Sequence, residues 1–221
     1  MKGAEILSHV DHTLLKPTAT WAQIKELCQE SITYKTASVC IPASYVAPVH
    51  EEYGDKITIC TVIGFPLGYD SEEAKITAAA QAIKDGAKEV DMVINITDAK
   101  NGDFEKITAE IAAIKKAVGN NILKVIIEAC YLTEDEKKAL CKCVTEAKAD
   151  FIKTSTGFGT GGATHEDIQL FSANIGPKVK MKAAGGIRTL EDMKQYLAEG
   201  CERIGASAAV GLLKDKMDSE V

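Results

Sequence analysis

An α/β fold, a single (β/α)8 TIM barrel spanning residues 1–221, is predicted by three observations. Short apolar runs alternate with longer segments of helical period along the whole chain, the signature of parallel strands joined by helices. Eight such strand–helix units can be counted, and the usual size of this barrel is about 250 residues. No break in composition and no linker divides the chain. A doubly wound open sheet is the alternative arrangement of the same units.

The first apolar run, Val10 to Leu14, precedes a helix that opens on Thr20 and Gln23 at capping-box spacing. Ala37 to Ile41 and Ile57 to Ile63 are the second and third strands. Ser71, followed by Glu72 and Glu73, starts the next helix, and Gly86 closes it after Ile83. Glu89 to Asn95 is the fourth strand; the helix behind it carries Ile107, Ile111, Ile114 and Val118 as one stripe and stops at Gly119. Leu123 to Glu128 is the fifth strand, with Thr133 and Glu136 as another capping box. Asp150 to Thr154 is the sixth, and its helix begins near Thr164. Lys178 to Lys182 and Arg203 to Ala206 complete the eight.

With 46% hydrophobic and 26% charged residues, the chain can bury a sizeable core. A net charge of −6 argues against a sequence-independent nucleic-acid binder, which needs excess Lys and Arg. An anionic substrate would need a locally positive pocket. The seven cysteines are scattered without CxxC pairs and read as reduced thiols. Met1 to Val10 lacks the apolar core of a signal peptide, and no run approaches the roughly 20 apolar residues of a membrane span. A cytoplasmic protein with no membrane partner is expected.

Buried parallel strands are normally apolar on both faces, yet several strands here are not. In the fourth, Val90, Met92 and Ile94 share one face, and Glu89, Asp91, Val93 and Asn95 the other. The fifth sets Val125 and Ile127 against Lys124, Ile126 and Glu128; the seventh sets Val179 and Met181 against Lys178, Lys180 and Lys182. If the apolar faces meet the helices, the charged faces point into the barrel, where opposite signs must pair. Asp91, Glu128, Lys153 and Lys182 are then expected together near the C-terminal strand ends, where such barrels build active sites. A structural ion network is the competing reading.

The stretch Phe151-Ile152-Lys153-Thr154-Ser155-Thr156-Gly157-Phe158 sets a lysine where an apolar strand runs out into a glycine-rich loop. Most lysines at strand ends simply reach solvent. A second lysine nearby, Lys182, would disfavour the protonated amine, as would desolvation. A free amine forms imines with carbonyls, and an ionised Asp91 could move the protons.

Gly157-Phe158-Gly159-Thr160-Gly161-Gly162 satisfies G-x-G-x-x-G, but the late helix start and the absence of an acid after the next strand argue against a dinucleotide. Gly185-Gly186-Ile187-Arg188 and Gly205-Ala206-Ser207 follow the seventh and eighth strands, where barrels commonly hold phosphate. The four histidines form no metal-ligand pattern. Asp11 and Thr13 share a face at the end of the first strand and are expected to join the polar interior. Cys40, ending the second, reads as a small buried hydrophobe rather than a catalytic thiol.

Taken with Asp11-His12-Thr13-Leu14-Leu15, Ser38-Val39-Cys40-Ile41-Pro42, Val62-Ile63-Gly64-Phe65-Pro66-Leu67-Gly68, Glu89 to Asn95 and Lys182 to Arg188, these motifs resemble the deoxyribose-phosphate aldolases, a class I aldolase family with a (β/α)8 barrel. The likeness spans nearly the whole chain. It implies that Lys153 forms the Schiff base, that Asp91 acts in proton transfer, and that Lys182 tunes Lys153 and shares the proton relay. It places the substrate phosphate near Gly157, Gly185, Gly186, Gly205 and Ser207. Asp11, Thr13 and Cys40 support the site. The implied reaction is reversible cleavage of 2-deoxy-D-ribose 5-phosphate to D-glyceraldehyde 3-phosphate and acetaldehyde, with no metal or organic cofactor. The partners are thus a small phosphorylated sugar and acetaldehyde, and family analogy points to a homodimer. Two departures stand out: Ala208 replaces a second serine found in many members, and the chain ends Asp218-Ser219-Glu220-Val221, without the terminal tyrosine of many bacterial members. The alternatives are a phosphosugar-binding barrel without aldolase turnover and a barrel isomerase acting by enolisation.

Overall fold

A computed structural model describes Met1–Val221 as one closed, all-parallel barrel in which β8 pairs back onto β1. The strands run in chain order: β1 (Val10–Thr13), β2 (Ser38–Ile41), β3 (Ile59–Ile63), β4 (Glu89–Val93), β5 (Ile122–Ile126), β6 (Phe151–Lys153), β7 (Lys180–Ala184) and β8 (Cys201–Ala206). The open-sheet alternative is thereby excluded. Helix α1 (Gly3–Leu7) leads into β1; α2 (Trp21–Tyr34), α3 (Val46–Tyr53) and α4 (Glu72–Lys84) follow the first three strands. After β4 come α5 (Ile96–Asn101) and α6 (Phe104–Val118). Then α7 (Glu134–Glu146), α8 (His165–Asn174), α9 (Leu190–Ala198) and α10 (Ala209–Leu213) follow β5 to β8 in turn. No helix is long and apolar enough to cross a membrane.

The helix ends are where the local sequence sets them. Thr20 and Gln23 form a reciprocal capping box on α2, as do Thr133 and Glu136 on α7. Thr133 N–H donates to Glu136 Oε2 at 2.7 Å, and Glu136 N–H donates to Thr133 Oγ1 at 3.3 Å. Ser71 Oγ caps α4 by accepting from Ala74 N–H, and Gly119 closes α6.

Two compartments result from strand alternation. Val90 and Met92 of β4 and Val125 of β5 face outward into an apolar layer shared with Ile107, Ile111 and Ile114 of α6. Each such side chain, fully buried, contributes roughly 1.5–3 kcal/mol. The inward faces carry Asp11, Glu89, Asp91, Lys124, Lys153 and Lys182, all buried. The register puts Asp91 beside Lys124 and Lys153 beside Lys182 on neighbouring strands.

Two expectations need correction. Strand β7 runs Lys180–Ala184, not Lys178 to Lys182, because Lys180 pairs with Phe151 at the start of β6. Lys182 is therefore mid-strand rather than at a strand end. Glu128 lies beyond β5, with a left-handed backbone (φ 53°) that takes it off the alternating face.

Replacing Thr133 by Ala removes one side of the α7 capping box and is expected to lower the urea-unfolding free energy by about 1 kcal/mol. Thr133→Ser should stay close to the parent; equal losses in both variants would show that the hydroxyl does not cap the helix.

Candidate active site

Three lysines converge on one carboxylate. Asp91 Oδ1 accepts from Lys124 Nζ at 2.8 Å and from Cys60 Sγ at 3.2 Å. Asp91 Oδ2 accepts from both Lys153 Nζ and Lys182 Nζ, each at 2.8 Å. Below this pair, Lys124 is also 2.6 Å from Glu89 Oε2 and 3.3 Å from Asp11 Oδ2. Lys182 donates to Asp11 as well. Arg203 closes the network, donating from Nε to Asp11 at 3.1 Å and from Nη2 to Glu89 at 2.7 Å. Asp11, Glu89 and Asp91 thus face Lys124, Lys182 and Arg203 in addition to Lys153.

Burial alone would raise the Asp91 and Asp11 carboxyls, but the surrounding ammonium groups, Lys124 foremost, outweigh it and hold both below the usual carboxylate range. Burial alone would lower Lys182 and Lys124; Asp11 and Asp91 reverse that and push both up. Lys182 is thus favoured as an ammonium, and it donates to the same Asp91 oxygen as Lys153.

Above the network, a cavity of about 540 Å³ opens at the C-terminal ends of the strands. Lys153 opens into it, whereas the deeper Asp91 and Lys182 are not among its lining residues. All five glycine and serine positions expected near a phosphate, namely Gly157, Gly185, Gly186, Gly205 and Ser207, line its wall. Gly185 and Gly186 sit at φ +82° and +76°, a left-handed backbone that side chains resist. Gly205 lies within β8, and a Cβ there would meet Ala184 at 2.9 Å and Lys182 at 3.3 Å; its lack of a side chain keeps space open over Lys182. Ala208 lines the same wall without a hydroxyl to offer.

The supporting residues divide. Asp11 is fully buried in the network, while Thr13 lines the cavity and donates its hydroxyl proton to the Asp11 carbonyl at 2.7 Å. Cys40 is fully buried outside the cavity wall, and hydrogen bonding with Cys60 lowers its thiol against the effect of burial. Ligand atoms of Cys40, Cys60 and Asp91 lie within 4.8 Å of one another. A metal ion there would have to displace the Lys124 ammonium, which already sits 3.2 Å from Cys60 Sγ and 2.8 Å from Asp91. Glu128, expected among the lysines, instead accepts from Thr156.

Strand alternation puts Lys124 and Glu89 on inward charged faces but does not show that they meet; Cys60, Arg203 and Thr156 were not singled out from the sequence. Lys16 and Arg188 also line the cavity and supply the positive charge that the overall −6 obscures. Ser219 to Val221 lie away from this site. Val221 N–H donates to the Met1 carbonyl, and the Met1 ammonium pairs with Glu220 at 2.6 Å, beside α1.

Comparison with known proteins agrees with this architecture. A family model described as DeoC/LacD family aldolase matches residues 6–215. A deoxyribose-phosphate aldolase of Clostridium botulinum (strain Alaska E43 / Type E3) is 67% identical over 214 residues, 97% of each chain. One from Clostridioides difficile (strain 630) is 54% identical over 96% of each. The solved deoxyribose phosphate aldolase of Aeropyrum pernix, described as tetrameric, superposes with a TM-score of 0.90 at 29% identity, covering 96% of this chain and 91% of that one.

Lys124→Met leaves Asp11, Glu89 and Asp91 short of a buried cation and is expected to cost about 3–5 kcal/mol of unfolding free energy at neutral pH. In the parent chain, Asp11 and Asp91 are depressed below the unfolded value of about 3.9. On acidification the unfolded chain therefore binds protons first, so their stabilisation is complete above about pH 5 and is lost as pH falls toward the folded values. Lys124 and Lys182 are shifted up, so their share is complete below the unfolded value of about 10.4 and is lost as pH rises through the folded values. Urea titrations should show stability falling below about pH 5 and at strongly alkaline pH; a constant value through the acid range would contradict the network.

Proposed function

The chain belongs to the DeoC/LacD family of aldolases, and from that premise we infer that it reversibly cleaves 2-deoxy-D-ribose 5-phosphate to D-glyceraldehyde 3-phosphate and acetaldehyde. The observation that carries the mechanism is Lys153 itself. Its side chain is only 4% exposed yet lines the cavity, with Nζ 2.8 Å from a carboxylate oxygen that Lys182 also holds.

Imine formation needs an uncharged amine. Asp11, Glu89 and Asp91 are matched by Lys124, Lys182 and Arg203, so the interior stays balanced when Lys153 carries no charge. Lys153 attacks the C1 aldehyde of the open-chain sugar, and loss of water gives an iminium. The C2–C3 bond then breaks: its electron pair moves into the iminium, leaving an enamine on Lys153. The C3 hydroxyl gives up its proton as C3 becomes the aldehyde of D-glyceraldehyde 3-phosphate. Protonation of the enamine at C2 and hydrolysis release acetaldehyde and restore the amine.

Asp91 is the group proposed to move protons during dehydration and at carbon, directly or through water, because its carboxylate is held ionised next to Lys153. Lys182 holds that carboxylate in place and keeps a second positive charge beside the reacting nitrogen. The phosphate is assigned to the wall formed by Gly157, Gly185, Gly186 and Ser207, with Lys16 and Arg188 on the same cavity. Backbone N–H groups freed by tight glycine turns, joined by cations, form the usual cradle for such a dianion. The free thiols fit a reducing compartment, and we place the enzyme in the cytoplasm.

Borohydride reduction in the presence of acetaldehyde should leave an ethyl group on Lys153, located by peptide mass analysis, and Lys153→Ala should abolish both the adduct and turnover. Full activity in that variant would refute the imine mechanism. Separately, Ser207→Ala should raise KM for the phosphorylated sugar roughly tenfold, the worth of one hydrogen bond to a charged group. Slow cleavage of unphosphorylated 2-deoxy-D-ribose should not change; an equal effect on both sugars would remove Ser207 from the phosphate site.

A further inference from the structure

Glu128 is buried, forms no ion pair, and holds a left-handed backbone (φ 53°, ψ 62°) that costs a non-glycine residue energy. Both of its carboxylate oxygens serve one residue. Thr156 N–H donates to Oε1 at 3.1 Å, and the Thr156 hydroxyl donates to Oε2. The loop between β6 and α8 is moulded onto this carboxylate: a Cβ on Gly159 would come within 3.1 Å of Glu128 Cδ and 3.0 Å of Cys130 Sγ. Thr156 itself lines the catalytic cavity together with Lys153 and Gly157.

A hydroxyl has one proton and two lone pairs. The proton is donated to Glu128 Oε2 and is thereby committed. One lone pair takes the Phe158 N–H at 3.0 Å. The remaining lone pair is all that Thr156 can offer the cavity, so it accepts and cannot donate. A carbonyl or phosphate oxygen would find no partner there, whereas a substrate hydroxyl would.

We propose that Glu128 is a positioning residue that fixes the Thr156 hydroxyl as an acceptor for the substrate hydroxyl on the carbon next to the new aldehyde. That group is the 2-hydroxyl of D-glyceraldehyde 3-phosphate and the 4-hydroxyl of the sugar. This rests on the aldolase reading above. Its effect is selection of a hydroxylated phospho-aldehyde over one that lacks the hydroxyl. It requires no contact between Glu128 and the substrate.

The test uses the synthetic direction, with acetaldehyde as donor and D-glyceraldehyde 3-phosphate, its 2-O-methyl ether or 3-oxopropyl phosphate as acceptor. Thr156→Val removes the acceptor, so the preference for D-glyceraldehyde 3-phosphate over 3-oxopropyl phosphate in kcat/KM should fall about tenfold, the worth of one hydrogen bond, while Thr156→Ser keeps it; equal preferences in those two variants would overturn the acceptor role. In Glu128→Gln the amide donates to Thr156 Oγ1 and turns the hydroxyl proton toward the cavity. A substrate hydroxyl can then accept where it had donated, so that preference should survive, whereas the 2-O-methyl ether, which can only accept, should gain about tenfold in kcat/KM over the parent chain. No gain in Glu128→Gln, or the same gain when Thr156→Val is added, would overturn the role of Glu128. Should Glu128→Gln not fold, Thr156→Val against Thr156→Ser decides the proposal. Acetaldehyde trapping on Lys153 in the parent chain separates the outcomes: its absence would refute the aldolase reading, whereas a normal adduct without the gain on the ether refutes only the role of Glu128.

Discussion

The carboxylate of Asp91 is the interaction on which the rest depends. Its two oxygens are divided among Lys124, Lys153 and Lys182, and for Lys153 it is the sole carboxylate partner. An uncompensated ammonium in the barrel would cost several kcal/mol, so Asp91 makes a charged interior possible. It also decides what each lysine can do. Lys124 and Lys182 each have further carboxylate partners and are held as cations. Lys153 shares only Asp91 and is the one that opens on the cavity. The least compensated amine is the one placed where a carbonyl can reach it.

Such an interior is tolerable because stability and chemistry occupy separate shells. The apolar layer between strands and helices supplies the cohesion, while the inner faces of the same strands carry the ions. Polar groups within the barrel are spared isolation by pairing across strands that are neighbours in register, as for Asp91 with Lys124 and Lys153 with Lys182. Arg203 and Phe151 close the lower end, the guanidinium lying 5.7 Å from the ring centroid.

The cavity wall follows a different logic. There the fold uses backbone and small residues: paired glycines after β7, a bare Gly205 above Lys182, and a loop after β6 tied to Glu128. The loops of β6 and β7 touch backbone to backbone, with Ala163 N–H donating to Ala184 and Gly185 carbonyls at 3.1 Å. The amine on β6 and the glycine wall after β7 are therefore held in fixed relation.

Much of this was legible in the sequence, because it depends on residues a few positions apart. The strand–helix alternation, the capping boxes at Thr20 and Thr133, the charged faces of β4, β5 and β7, and Lys153 at its strand end all follow from local period and hydrogen-bonding rules. The motif order added the family. Local rules failed at β7, whose start is set by pairing with β6, and at Glu128, whose left-handed backbone breaks the alternation. They could not show that Lys124 joins Asp91, 33 residues away, or that Lys182 meets Asp11 across 171. By itself, then, the sequence determined the units and the charged inward faces of β4, β5 and β7; barrel closure decided which charges meet, because only the register of eight strands brings distant side chains within hydrogen-bond reach.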